Sequence, residues 1–138
     1  DLLQTLHLRD RAVTDVAISV AWAAIVSNLY SNWQTIITIP FTTYVANTYI
    51  FFWVAGEWVD TVNDQQVLYT SVDIDSSQIF ANGYTSQNVG EYNSFGYSYG
   101  INVPTAGAHT IYFKVAKWIS GNYLVIPQLT MSVLGVKR

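Results

Sequence analysis

Apolar and polar side chains alternate through nearly the whole chain, and this alternation limits its fold more than any other feature. Successive side chains of a β-strand point to opposite faces, so a period of two marks a strand with one face buried. Val67 to Ile74 shows the pattern: Leu68, Thr70, Val72 and Ile74 on one face, Tyr69, Ser71, Asp73 and Asp75 on the other. Val16, Ile18, Val20 and Trp22 alternate with Ala17, Ser19, Ala21 and Ala23. The alanines also suit a helix, but the β-branched residues favour a strand. Trp33 to Ile39 predicts a second strand, stopped by Pro40, which has no N–H to give a ladder. Thr43 to Val54, Tyr92 to Val103, His109 to Trp118 and Tyr123 to Val136 read as further strands. Asn82-Gly83 is a hairpin-turn dipeptide, and Ser120-Gly121-Asn122 joins the last two strands. About eight strands with turn signals between them predict an all-β, antiparallel two-sheet β-sandwich. Its core is expected at the in-phase positions Ile37, Ile39, Ile50, Phe52, Val72, Ile74, Ile111, Phe113, Leu129, Met131 and Val133.

One strand departs from simple alternation. In Tyr49 to Ala55, Ile50, Phe52 and Val54 fill one face while Tyr49, Phe51, Trp53 and Ala55 fill the other. A sandwich strand has one face for the core and one for water. The second apolar face needs its own cover, because large aromatic patches are rarely left bare. A subunit contact through Tyr49, Phe51 and Trp53 is the simplest cover; an overlying loop or the N-terminal strand is the alternative.

The composition of the 138 residues excludes several classes. Apolar residues make up 51% and charged residues 11%, against ~25% charged in an average soluble protein, so disorder is ruled out. The length is that of one domain. With no cysteine there are no disulfides, thiolate metal sites or cysteine nucleophiles. The basic residues are Arg9, Arg11, Lys114, Lys117, Lys137 and Arg138, which form no stripe for a phosphate backbone, so nucleic-acid binding is not expected. The run from Tyr49 to Ala55 is far short of the ~20 residues a helix needs to span a bilayer, so no membrane insertion is expected. Residues 1–11 stand apart, with Leu2, Leu3, Leu6 and Leu8 followed by Arg9, Asp10 and Arg11. They read as an attachment arm docking on another chain, leaving 12–138 as the folded domain. A chain that begins at Asp1 is expected to be a processed or trimmed product.

Chemistry-bearing residues are sparse. The two histidines, His7 and His109, are too far apart in sequence to suggest a metal site. No Gly-x-Ser-x-Gly elbow accompanies His109; it reads as a strand-end residue that caps a turn. Asp60, Asp64, Asp73 and Asp75 could offer hard oxygen ligands to calcium, but their spacing is not that of an EF-hand, and acids that alternate along a strand usually lie on a solvated face. No catalytic residue, cofactor or metal is expected. Tyr84, Tyr92, Tyr97 and Tyr99 lie in a Tyr/Ser/Asn/Gly-rich stretch whose composition resembles a ligand-contact loop. Tyrosines decorating a sheet or packing between subunits would look the same.

Two stretches suggest a family. Ala106 to Phe113 followed by Tyr123 to Val136 resembles the closing two strands of C1q/TNF-like jelly rolls. Thr35-Ile36-Ile37-Thr38-Ile39-Pro40 followed by Tyr44 to Ile50 resembles the strand–turn–strand that opens that fold. The resemblance covers residues 14–138 and rests on apolar, Gly and Pro positions rather than a catalytic signature. It implies a jelly roll, typically trimeric, of the kind found in virus and phage decoration, spike or fibre proteins. The function expected is therefore that of a non-enzymatic structural protein, virion-borne or extracellular. It would be a homo-oligomer, joined to other subunits by its arm, with loops free for a host glycan or protein. Two rival readings are a prokaryotic filament subunit joined by donor-strand complementation and a carbohydrate-binding module. The absence of any Asn-x-Ser/Thr sequon weighs against a glycosylated surface filament.

Overall fold

The structure, a computed structural model, describes residues 16–61, 66–86, 88–119 and 124–136, with only the backbone at 16–19, 21 and 22. Eight strands follow one another: β1 (Val16–Val26), β2 (Gln34–Thr43), β3 (Thr48–Asp60), β4 (Val67–Ile74), β5 (Ser77–Thr85), β6 (Tyr92–Val103), β7 (Gly107–Lys117) and β8 (Leu124–Val136). They form two antiparallel four-stranded sheets, ordered β1-β8-β3-β6 and β2-β7-β4-β5. Only β4 and β5 are joined as a hairpin within one sheet; every other connection crosses from sheet to sheet. This crossing pattern is the jelly roll, in which both sheets must form together for either to bury its inner face.

Period-two alternation sets the core. All the in-phase positions expected from the sequence, from Ile37 to Val133, are buried, and Trp58, Leu68, Phe95, Leu124 and Ile126 join them. Each large apolar side chain so covered contributes roughly 1.5–3 kcal/mol. The stretch of alternating alanines is a strand, β1, and the register shift opposite Trp22 and Ala24 falls in β8, where it lets Leu124 and Ile126 face the core as Leu129 does.

Several local expectations are corrected. Pro40 does not stop β2, which runs on to Thr43 with Pro40 opposite Thr110. β2 is an edge strand, and an edge tolerates a residue with no N–H on its open side. The third strand begins at Thr48 rather than Thr43, because the chain turns first through Asn47 at φ 60°. Asn82-Gly83 lies inside β5 and is not a turn. A β-carbon on Gly83 would come within 3.3 Å of the Tyr69 ring, so the glycine makes room for that ring across the strand pair. The hairpin turn is instead at Asp75-Ser76, between the paired Ile74 and Ser77, with Asp75 at φ 55°. Aspartate tolerates this left-handed conformation better than most residues. Ser71 and Asp73, expected on a solvated face, are buried. The proposed arm, residues 1–11, lies outside the described residues. Among the described residues no helix is long and apolar enough to cross a membrane.

Candidate functional site

The outer face of the first sheet is built almost without charge. In its four strands the charged residues are Glu57 and Asp60, and Asp60 is buried. The register brings Tyr49 between Asn102 and Val136, Phe51 between Gly100 and Leu134, Trp53 between Ser98 and Ser132, and Ala55 between Gly96 and Thr130. Tyr49 and Phe51 contact each other at 4.8 Å between ring centres. Their rings lie over Gly100, where a β-carbon would come within 2.6 Å of Tyr49 and 3.0 Å of Phe51. Phe51 remains 38% exposed and Trp53 45%, whereas Ile50, Phe52 and Val54 between them are buried. The three aromatics singled out from sequence thus share one open face.

The outer face of the second sheet is polar and internally paired. Lys114 Nζ meets Asp73 Oδ2 at 2.8 Å, Ser71 Oγ donates to Asp73 Oδ1 at 2.9 Å, and Gln78 Nε2 donates to Ser71 Oγ at 2.9 Å. Lys114 also sits 5.5 Å from the centre of the Tyr112 ring. Asp73 is therefore committed to a cation of its own chain. Asp60 accepts from Ser86 Oγ and Asp75 pairs with His109, so these carboxylates do not converge. Among the described residues no group of three potential ligands could hold a metal.

The tyrosines expected in a ligand-contact loop lie on strands: Tyr84 on β5, and Tyr92, Tyr97 and Tyr99 on β6. Those two strands edge opposite sheets, and their rings close the seam between them. Phe80 packs on Tyr97 at 4.5 Å and on Tyr99 at 5.3 Å, while Tyr84 meets Phe95 at 5.7 Å. Tyr97 donates its hydroxyl to Thr70 Oγ1 at 3.1 Å. Burial pushes its phenol well above the ordinary tyrosine range, outweighing that bond. Of the four, Tyr92 at 64% and Tyr99 at 42% remain exposed.

A second aromatic group escaped the sequence reading. Tyr30, Trp33, Tyr69 and Trp118 meet at 4.5–6.2 Å between ring centres. Buried Gln66 fixes this end: its Oε1 accepts from the backbone N–H of Ile119 at 2.7 Å and of Trp118 at 3.1 Å. No periodicity joins residues 30, 33, 69 and 118, so only the folded topology brings them together.

His109 caps turns at the opposite end. Its Nδ1 lies 2.8 Å from Asp75 Oδ2, and its Nε2 lies 2.8 Å from the Thr105 carbonyl oxygen. Both ring nitrogens thus face oxygen acceptors of the chain itself, and the ring is engaged on both sides.

No family model matches the chain, and no curated protein matches it in sequence. Solved structures share its fold. A structure of the Gx strain of infectious bursal disease virus superposes with a TM-score of 0.58 at 9% identity, covering 86% of this chain and 32% of that one. The VP2 subviral particle of the same virus gives 0.56 at 10% identity, covering 89% and 33%. The sugar-binding C-terminal domain of EclA gives 0.44 at 16% identity, covering 84% and 78%, too loose a superposition to bear on function. The chain spans about a third of the length of the viral chains it matches. At these identities the likeness establishes the jelly-roll fold.

Proposed function

We propose that this chain is a non-enzymatic structural module of a virus particle that assembles through the outer face of its first sheet. The observation that carries the reading is the uncharged aromatic face of Tyr49, Phe51 and Trp53, with the Tyr49 and Phe51 rings packed over Gly100. Buried interface centres favour aromatics and exclude charge, and a jelly roll whose paired polar groups lie on the opposite face is suited to that contact. The viral structures that share the fold favour a virion setting. Copies of the 12–138 domain would meet about a symmetry axis, three by the C1q/TNF-like resemblance. Residues 1–11 would dock on a neighbouring subunit through Leu2, Leu3, Leu6 and Leu8.

The test is imaging of the assembled protein, with sedimentation to give its mass. A closed oligomer whose contact is centred on Phe51 and Trp53 supports the reading; a monomer at all concentrations overturns it. Deleting residues 1–11 is expected to leave the sandwich folded and to abolish incorporation into larger assemblies. Incorporation at the level of the intact chain would refute the arm.

A second reading, contact with a glycan, is favoured by the group of Tyr30, Trp33, Tyr69 and Trp118, of which Tyr30 and Trp118 are exposed, since rings of this kind stack on sugars. Glycan-array binding lost on Trp118→Ala would support it. The filament reading has less support, because among the described residues each sheet already holds four paired strands.

A further inference from the structure

We propose that His109 is a proton-dependent latch: as an imidazolium it ties the β4–β5 turn to the β6–β7 turn, and on losing its proton it keeps its N–H on the charged Asp75 carboxylate and releases the β6–β7 turn. The argument rests on what each ring nitrogen faces. A carboxylate oxygen and a backbone carbonyl oxygen are acceptors only, and both lie 2.8 Å from the ring. Only the doubly protonated ring has a donor for each. Either neutral tautomer would aim a nitrogen lone pair at an oxygen lone pair across 2.8 Å.

The neighbours of the ring agree with this. The β4–β5 turn presents Asp75, whose other oxygen accepts from the Thr110 N–H at 3.0 Å while its own N–H donates to the Thr110 carbonyl at 2.8 Å. The β6–β7 turn presents the Thr105 carbonyl, which also accepts from Thr43 Oγ1 at 3.1 Å. From β2, Phe41 stacks on the ring with centres 5.5 Å apart, a neutral neighbour whose π-face suits a cation. Beside the ring lies a recess of about 260 Å³ between the two turns, where Ile79, Ile101, Val103 and Pro104 contribute no charge. On its own strand the nearest cation, Lys114, is committed to Asp73. Asp75 is thus the one charged group aimed at His109 among the described residues.

The electrostatic balance has the matching sign. Burial favours the neutral ring, but the bonds to Asp75 and Thr105 and the charge of Asp75 outweigh it and hold His109 above 6.5. Burial also raises Asp75, but the bonds from His109 and Thr110 and the imidazolium charge outweigh it and leave its carboxyl below 3.8. A raised histidine contributes stability that is complete below its unfolded value of about 6.5 and is lost as pH rises through its folded value. The latch is therefore closed in acid and opens as pH rises through the raised folded value.

Nitrogen-15 NMR of the imidazole, with His109→Gln to assign its signals apart from those of His7, tests this on the intact chain. Both ring nitrogens of His109 are expected to be protonated at pH 6.5, with the transition centred above that value. Across the same transition, hydrogen-exchange protection is expected to fall roughly tenfold at Asn47, whose N–H donates to the Pro104 carbonyl in the released turn. Asp75→Asn should move the His109 transition down by roughly one unit. A neutral ring at pH 6.5, or protection at Asn47 that does not change across the transition, would overturn the latch. If Asp75→Asn does not fold, the titration of the unsubstituted chain decides alone.

Discussion

On the outer face of the second sheet, Lys114, Asp73, Ser71 and Gln78 answer one another within 2.9 Å. On the outer face of the first, Tyr49 and Phe51 pack on each other over Gly100, and Phe51 and Trp53 stay exposed. Both faces belong to sheets that supply buried side chains to the one core, so the core does not explain the difference. A polar face whose donors and acceptors are matched within the chain gains little from a partner. An aromatic face left half open gains transfer free energy of roughly 25 cal/mol for each Å² that a partner covers. The comparison teaches that one face is matched within the chain itself, while the other is left open for the association proposed above.

The contrast can be broken first along β3, where neighbouring phenylalanines point to opposite faces. Phe52→Ala is expected to cost about 3–5 kcal/mol in a denaturant titration, the usual loss for a fully buried aromatic. Phe51→Ala, measured on dilute monomer, should cost less than about 1 kcal/mol. Equal losses would mean that Phe51 is already covered by its own chain. Next in size is the polar face. Lys114→Met would leave the Asp73 carboxylate nearly buried without its cation, at an expected cost of about 2 kcal/mol. That variant should keep the oligomeric mass of the intact chain. A change of mass would show that the polar face also takes part in association. Gly100→Val follows with a smaller effect than Lys114→Met, as its added carbons push the Tyr49 and Phe51 rings off the sheet. Association should weaken roughly tenfold, about 1.4 kcal/mol, with little change in monomer stability. Unchanged affinity would show that the flatness of this face is irrelevant.

Much of this architecture could be read from alternation, because burial on one face of a strand leaves a period of two that no tertiary context can hide. Ile37, Phe52, Val72, Phe113 and Met131 were identifiable for that reason, as was the double-sided apolar character of Tyr49 to Ala55. What escaped depended on sheet position. Pro40 reads as a strand stop unless β2 is known to be an edge. Asn82-Gly83 reads as a turn unless Tyr69 is known to cross Gly83. Ser71 and Asp73 read as solvated because their cover, Gln78 and Lys114, comes from other strands. The cluster of Tyr30, Trp33, Tyr69 and Trp118 and the two acceptors around His109 are likewise products of topology, joining residues up to 88 positions apart.

The most direct test of association through the first sheet is Phe51→Asp. An unpaired carboxylate at the centre of that face would have to be desolvated on assembly, a cost that excludes charge from interface cores. Light scattering and far-ultraviolet circular dichroism on the purified variant would report mass and β-sheet content together. A folded monomer with unchanged β-sheet signal is the predicted result. A variant that retains the native oligomeric mass would place the contact elsewhere and contradict the account.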